Sequence, residues 1–428
     1  MHDVVRELYP LCRSITGNGV RETLKIVGRQ IPLEIREVPS GTPVLDWVVP
    51  KEWNIRDAWV KDPSGAKVID FRRSNLHVVG YSQPVRARMP LGELKRHLHS
   101  LPDRPDWIPY RNSFYRDDWG FCLSHRQLQS LPEGEYEVLI DATHGDGSLT
   151  YGEALIAGRS SREILLSCHV CHPSLANDNL SGISLLSLLG RYLAELSPFY
   201  SYRLLFLPVT IGAITWLARN DGALSEIEHG LVVTLVGDAG RTTYKRSRRG
   251  DAAIDRAFAH VLKHAGDHEI VDFSPYGYDE RQFCSPGFDL PVGCLMRTPH
   301  GQFPEYHTSA DDLEFVKPEA LADSLAKTLA ALNVLENDRR YVNLNPKGEP
   351  QLGRRGIYRA MAERSDGGGR EMALLWVLNQ SDGMHSLLDI ADRSSMPFEA
   401  IREAAQLLLE HELLREAVPG ELGRGGRS

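Results

Sequence analysis

The stretch Glu163-Ile164-Leu165-Leu166-Ser167-Cys168-His169-Val170-Cys171-His172-Pro173-Ser174-Leu175-Ala176-Asn177-Asp178-Asn179-Leu180-Ser181-Gly182 sets the reading of the whole chain. Glu163 to Cys168 is a nearly continuous apolar run, as expected of a strand buried on both faces. Ser181 to Leu196, rich in Leu and Gly, is predicted as a helix. Between them lies the densest group of chemically active side chains: Cys168, His169, Cys171, His172 and Asp178. Downstream, 202–209 and 230–237 repeat the buried-strand pattern, and 251–264 and 319–336 are predicted as helices. Alternation at this spacing predicts an α/β fold with a mostly parallel sheet covered on both faces, and function where the strands end.

Outward from that core, the first 30 residues predict two short amphipathic helices around the turn Thr16-Gly17-Asn18-Gly19. Residues 41–139 then carry frequent Pro, Gly and Asp between β-rich pieces at 47–49, 57–60, 67–70 and 136–140, which predicts an inserted β-rich domain. Trp47, Trp53, Trp59 and Trp107 fall in this region and are expected to build its core rather than a ligand platform. The core is therefore discontinuous, over 1–40 and 140–340. A polar linker is expected around 340–356, then a winged helix-turn-helix over 353–420 from three short helices, and a frayed tail at 420–428.

Composition narrows the function classes. A chain of 428 residues with 25% charged residues and a net charge of -8 suits a soluble protein of two or three domains, not a nucleic-acid binder that relies on long-range attraction. The helix expected at 397–410 offers Arg402 against Glu399, Glu403 and Glu410, so the winged helix is expected to bind partners or a second copy of the chain instead of DNA. No apolar run approaches 18 residues and no secretory signal is visible, so a cytoplasmic protein without membrane contact is expected. Six cysteines are too sparse for a disulfide framework.

Cys168-His169-Val170-Cys171-His172 matches the spacing of haem attachment, but that chemistry belongs to exported proteins. A thioredoxin-like Cys-x-x-Cys would open a helix, whereas Cys168 still lies in the strand. The stretch resembles the M28 family of zinc aminopeptidases instead. In that family a strand ends in His-x-Asp and the next segment carries Asp-(Asn or Asp)-x-Ser-Gly. Here His169 stands at the first element, and Asp178-Asn179-Leu180-Ser181-Gly182 fits the second. Val209-Thr210-Ile211-Gly212 stands where the family has Glu-Glu-x-Gly, Asp238 follows a strand at the place of a third ligand, and His307-Thr308-Ser309-Ala310-Asp311 resembles the closing His-Thr-x-x-Asp. The resemblance implies that His169, Asp178, Asp238 and His307 hold zinc, for which imidazole and carboxylate are suitable ligands.

The whole chain resembles the bacterial DUF4910 group of aminopeptidase-like proteins. The resemblance rests on Leu8-Tyr9-Pro10-Leu11-Cys12-Arg13-Ser14-Ile15-Thr16-Gly17, Cys171-His172-Pro173-Ser174, Tyr276-Gly277-Tyr278-Asp279-Glu280-Arg281-Gln282 and Glu305-Tyr306-His307-Thr308-Ser309. It implies a zinc-peptidase-like core, an inserted domain of the DUF2172 type and a C-terminal winged helix. Departures from M28 affect the chemistry. Cys171 replaces the Asp that orients the first histidine, Val209 replaces the general base, and Thr210 replaces a ligand to the second zinc.

A valine cannot move a proton, so Glu280, Glu305 and His172 are the catalytic candidates. About one tightly bound Zn²⁺ is expected. Arg248 and Arg249, in the basic run 245–249, are candidates for an anionic substrate group, with Tyr278 and Arg281 as further substrate-binding candidates. The expected function is zinc-dependent hydrolysis of an amide or peptide bond in a small, anionic substrate, in a biosynthetic setting. The alternative is a catalytically silent metal or ligand scaffold with a partner-recruiting winged helix.

Overall fold

The computed structural model describes residues 1–357 and 367–418. Part of the expected winged-helix span and the whole of the expected tail lie outside the described residues. Two compact units are formed, one from residues 1–254 and 268–325, the other from 255–267 and 326–428.

The first unit is built on an eight-stranded sheet. In chain order its strands are β1 (Glu34–Pro39), β2 (Ser148–Ile156), β3 (Glu163–His169), β4 (Ser201–Leu207), β5 (Ile227–Val233), β6 (Thr242–Lys245), β7 (His268–Val271) and β8 (Val292–Met296). Their spatial order is β1-β2-β4-β3-β5-β8-β6-β7. The four inner strands β4, β3, β5 and β8 are parallel, and antiparallel partners flank them. Every residue of β3 is buried, which is why its sequence lacks the alternation of a one-sided strand. The inner strands deliver His169, the segment after Leu207 and the segment after Val233 to one edge of the sheet.

Strand β5 ends four residues earlier than its apolar pattern suggests. Thr234 to Gly237 are buried but leave the ladder, because side chains of the Asn177–Ser181 segment take up the N–H groups of Leu235, Val236 and Gly237. Burial alone does not separate a strand from such a segment.

A buried ion network fixes three neighbouring strands. Arg203 on β4 donates to both oxygens of Glu163 on β3, at 2.6 and 2.7 Å, and to Glu153 on β2, which also accepts from Trp216 Nε1 at 3.2 Å. The three charges satisfy one another where water is largely excluded.

The insertion expected over 41–139 forms an antiparallel sheet of its own that runs on to Gly145, in the order Lys67–Asp70, Glu52–Lys61, Glu135–Gly145, Val85–Pro90, preceded by a small hairpin of Pro43–Val44 and Trp47–Val48. This insertion nonetheless lies within the same compact unit as the large sheet. Trp53 is a core residue as expected, its indole donating to Ser82 O at 2.8 Å. Trp47 is not: it is 46% exposed.

The second unit has the winged helix-turn-helix arrangement. Helices Gly367–Gln380, Leu387–Ser394 and Phe398–Glu410 accompany a three-stranded sheet of Asp382–Ser386, Arg340–Asn343 and Leu414–Glu416. The Arg340–Asn343 strand falls where a linker is expected, so the domain begins earlier than 353. The strand's four residues, one exposed and three half-buried, are too few to display a period. Among the described residues no helix is long and apolar enough to cross a membrane.

Replacing Arg203 by Ala takes from Glu163 the guanidinium that pairs with both its oxygens and leaves Glu153 with Trp216 Nε1 and, at 3.9 Å, Arg36. It should destabilise the first unit by about 3 kcal/mol or more, read as a lowered denaturation midpoint. An unchanged midpoint would show that the network contributes nothing to the sheet.

Candidate functional site

The segment between β3 and the helix Ser181–Ala194 is held by its own polar side chains. Asn179 accepts from the N–H groups of Gly182 and Leu235 and donates to Val233 O at 3.1 Å. Ser181 donates to Asn177 O at 2.7 Å. Gly182 is required: a Cβ there would lie 2.5 Å from the Asn179 amide and 2.6 Å from Val233 O. From the other side Asp311 accepts from the N–H groups of Asn177 and Asp178, at 2.6 and 3.0 Å. The family-like motif is thus a scaffold that presents one carboxylate, that of Asp178.

Asp178 is fully buried. His169 Nε2 lies 2.9 Å from its Oδ1, and His307 Nε2 lies 3.0 Å from its Oδ2. Burial opposes ionisation of this carboxyl, but His172, His169 and His307 outweigh it and hold it well below the usual carboxylate range. His172 completes the group: ligand atoms of His169, His172 and Asp178 lie within 4.8 Å of one another. Burial pushes the His172 imidazole down to about 3, so at neutral pH it is uncharged with a lone pair available. His169 Nδ1 is buried and has no hydrogen-bond partner. Three imidazoles, that of His172 uncharged, one ionised carboxylate and an unsatisfied ring nitrogen form a donor set that fits Zn²⁺.

Distant parts of the chain hold the histidines in place. Arg13, buried without a carboxylate partner, donates from Nε to His172 O at 2.7 Å and from Nη2 to Pro173 O at 3.0 Å. Ser174 Oγ donates to Tyr9 O at 2.6 Å, and Asn75 of the insertion accepts from Ser174 N–H at 3.2 Å. The N-terminal phrase and Cys171-His172-Pro173-Ser174 are therefore two sides of one contact. His307 has φ 55, a left-handed conformation that few non-glycine residues adopt. The insertion holds it there: Tyr110 N–H donates to His307 O at 2.7 Å, and Ile108 and Ser309 exchange two hydrogen bonds. Aromatic rings pack the imidazoles, with Tyr278 stacked on His169 and Tyr306 on His307 at centroid distances of 5.0 and 3.9 Å.

A cavity of about 260 Å³ opens beside this group, lined among others by His172, Val209, Thr210, Tyr278, Arg281, Tyr306 and His307. Burial pushes the phenols of Tyr278 and Tyr306 up, so both remain donors at neutral pH. The structure brings together His169, Asp178, His307 and His172. It does not bring Asp238 to them. That carboxylate accepts from Asn177 Nδ2, from Gly240 N–H, and from Thr298 N–H and Oγ1. Because β5 stops at Val233, Asp238 stands five residues beyond the strand end and braces the scaffold.

Neither Glu280 nor Glu305 lines the cavity. Glu280 is buried in an ion pair with Lys245 at 2.8 Å. Arg248 and Arg249 are also elsewhere, sharing Asp289. Of the basic candidates Arg281 alone faces the cavity, and its buried Nε has no hydrogen-bond partner. Cys171 accepts from Val209 N–H at 3.3 Å, and burial pushes its thiol up, away from the thiolate a metal would need. Sequence reasoning assigned no role to Arg13, Tyr110, Tyr306 or Asp311. All but Tyr110 lie in quoted phrases, but a buried arginine or a supporting carboxylate has no spacing rule.

A family model described as a domain of unknown function, DUF4910, matches residues 2–338, and a winged helix-turn-helix model matches residues 339–416. A Clostridium acetobutylicum protein with the provisional name of polysaccharide biosynthesis protein with aminopeptidase-like domain is 53% identical over 416 residues, covering 97% of this chain and 96% of its own. A crystal structure from Clostridium acetobutylicum, provisionally called a peptidase, matches with a TM-score of 0.93 at 52% identity, over 97% of this chain and 95% of that one. The zinc aminopeptidase BSAP of Bacillus subtilis matches with a TM-score of 0.56 at 12% identity, over 78% of this chain and 93% of its own, and carries the likeness of fold alone.

The depressed His172 value sets a pH dependence. The folded chain keeps this imidazole uncharged down to about 3, whereas an unfolded histidine titrates near 6.5. As pH falls below 6.5 the unfolded state takes up the proton first, so stability should be lost by about 1.4 kcal/mol per pH unit in that window. His172→Gln should remove that slope from the unfolding free energy between pH 6.5 and 4. Identical slopes would mean that His172 is protonated in the folded protein.

Proposed function

The chain belongs to the DUF4910 family and is aminopeptidase-like in fold, and from that footing we propose that it hydrolyses an amide or peptide bond in a small, anionic substrate with the help of one zinc ion. The observation that carries the reading is the Asp178 carboxylate held between His169 and His307, with His172 within ligand distance. His169, His172 and Asp178 would hold the zinc, while His307 secures the second oxygen of Asp178. Zinc, when bound, supplies Lewis acidity for the amide carbonyl and for water.

The remaining roles fall to the chain's own groups. Tyr278 and Tyr306, protonated at neutral pH, would donate to the oxygen that gains negative charge as the amide is attacked. Arg281 would pair with the substrate's anionic group through its free Nε. Val209 stands where the fold family has a general base, so turnover is expected to be slow on simple amides. The name of the Clostridium acetobutylicum relative supports a place in polysaccharide biosynthesis. In the winged helix, Arg402 is already paired with Glu399, which supports partner binding over DNA reading.

The lack of a free carboxylate among the described residues of the cavity wall favours a second reading, a metal-dependent binding protein without turnover. Metal analysis together with turnover of N-acylated substrates separates the two. Chain purified without chelator should hold about one zinc. His169→Ala and His172→Ala should lose it, whereas Asp238→Ala should retain it if folded. Val209→Glu should raise amide turnover about a hundredfold, the smaller end of what a positioned base contributes. Zinc lost from Asp238→Ala but kept by His169→Ala would overturn the ligand assignment. Bound zinc with no turnover even in Val209→Glu would favour the binding protein.

A further inference from the structure

The inserted domain places an aromatic shelf at the cavity mouth. Trp47, from the small hairpin, and Tyr115 have ring centroids 5.4 Å apart and planes inclined at 59°. They are 46% and 52% exposed, and both line the same cavity as His172, His307 and Arg281. The hairpin lies against the helix Ile211–Arg219, whose Ile211 and Ile214 form the adjoining wall. A tryptophan that served only to fill a core would resemble Trp53, buried with its indole N–H satisfied.

The rest of the wall narrows what this shelf can hold. Among the described residues no Asp or Glu lines the cavity, and Arg281 is the one Lys or Arg that does. A peptide with a free α-ammonium group would meet no counter-charge there and would face a guanidinium. A neutral amide carrying an anion elsewhere in the molecule meets no such penalty. The shelf is also open on one side. It suits an amphipathic ring with one apolar C–H face and hydroxyls left in water; an apolar side chain would instead seek an enclosed pocket.

We propose that Trp47 and Tyr115 form a binding subsite for a pyranose ring, so that the substrate is an N-acylated, anionic sugar whose amide reaches the Asp178 centre while its carboxylate or phosphate meets Arg281. This rests on the amide-hydrolysis reading of the same cavity. It differs from that reading by assigning the substrate class and by giving the inserted domain a role in recognition.

The test is binding, measured apart from turnover. Zinc-loaded full-length chain is titrated calorimetrically with N-acetylglucosamine 1-phosphate, UDP-N-acetylglucosamine, N-acetylmuramic acid, neutral N-acetylglucosamine and an N-acetylated dipeptide. At least one anionic sugar should bind more tightly than both the neutral sugar and the dipeptide, and saturation-transfer NMR should place its ring protons on the protein. The phosphate and carboxylate arms show which anion Arg281 prefers. Trp47→Ala should weaken that sugar roughly tenfold or more, and Trp47→Phe should restore much of the loss, with zinc content unchanged in both. Tightest binding of the dipeptide, binding of no sugar in the set, or unaltered sugar affinity in Trp47→Ala would overturn the proposal. Zinc content and amide turnover report on the underlying reading separately: sugar binding to a chain that takes up no zinc would sink that reading and leave the subsite standing.

Discussion

One buried carboxylate organises the first unit. Ionised Asp178 sits where water is excluded, a placement that costs several kcal/mol unless partners surround it. Two imidazoles share its oxygens, and Asp311 fixes its backbone. Each of these partners needs support in turn. His169 comes from the central strand of the sheet, the His172 loop is gripped by Arg13, and His307 is held in a left-handed conformation by the inserted domain. Three regions far apart in sequence therefore converge on one charge.

That dependence accounts for several unusual residues. Arg13 is a buried cation without a carboxylate partner, satisfied by two carbonyl oxygens of the loop it restrains and by that of Leu8. Asn177 and Asp238 do not face the cavity, but they hold the turn that aims Asp178. The insertion is also more than decoration on the fold. Tyr110 borders both His172 and His307, and Trp47 and Tyr115 form part of the mouth of the same cavity.

Much of this was legible in the sequence because buried strands and helices write long, periodic patterns. The runs at 163–168, 202–209 and 230–237 predict the parallel core, and the order of His169, Asp178 and His307 along it predicts their meeting. What escaped follows from short range. Thr234 to Gly237 are as buried as the strand before them, so apolar character carries the predicted strand too far and turns Asp238 into a ligand it is not placed to be. The Arg340–Asn343 strand is too short for a period. Trp47 and Trp53 are six residues apart in the same kind of sequence, and only tertiary packing decides that one is core and the other lies exposed at the cavity mouth. Arg248 and Arg249 look like a clamp in sequence, yet Asp289 already occupies them.

In the proposed function Asp178 and its histidines are a metal centre of which Asp238 is not part. Crystals grown with zinc and measured on both sides of its absorption edge test this directly. The expected result is a single strong anomalous peak within bonding distance of His169, His172 and Asp178, with Asp238 still bound to Thr298 and Gly240. A peak coordinated by Asp238, or no peak near Asp178 at saturating zinc, would contradict it.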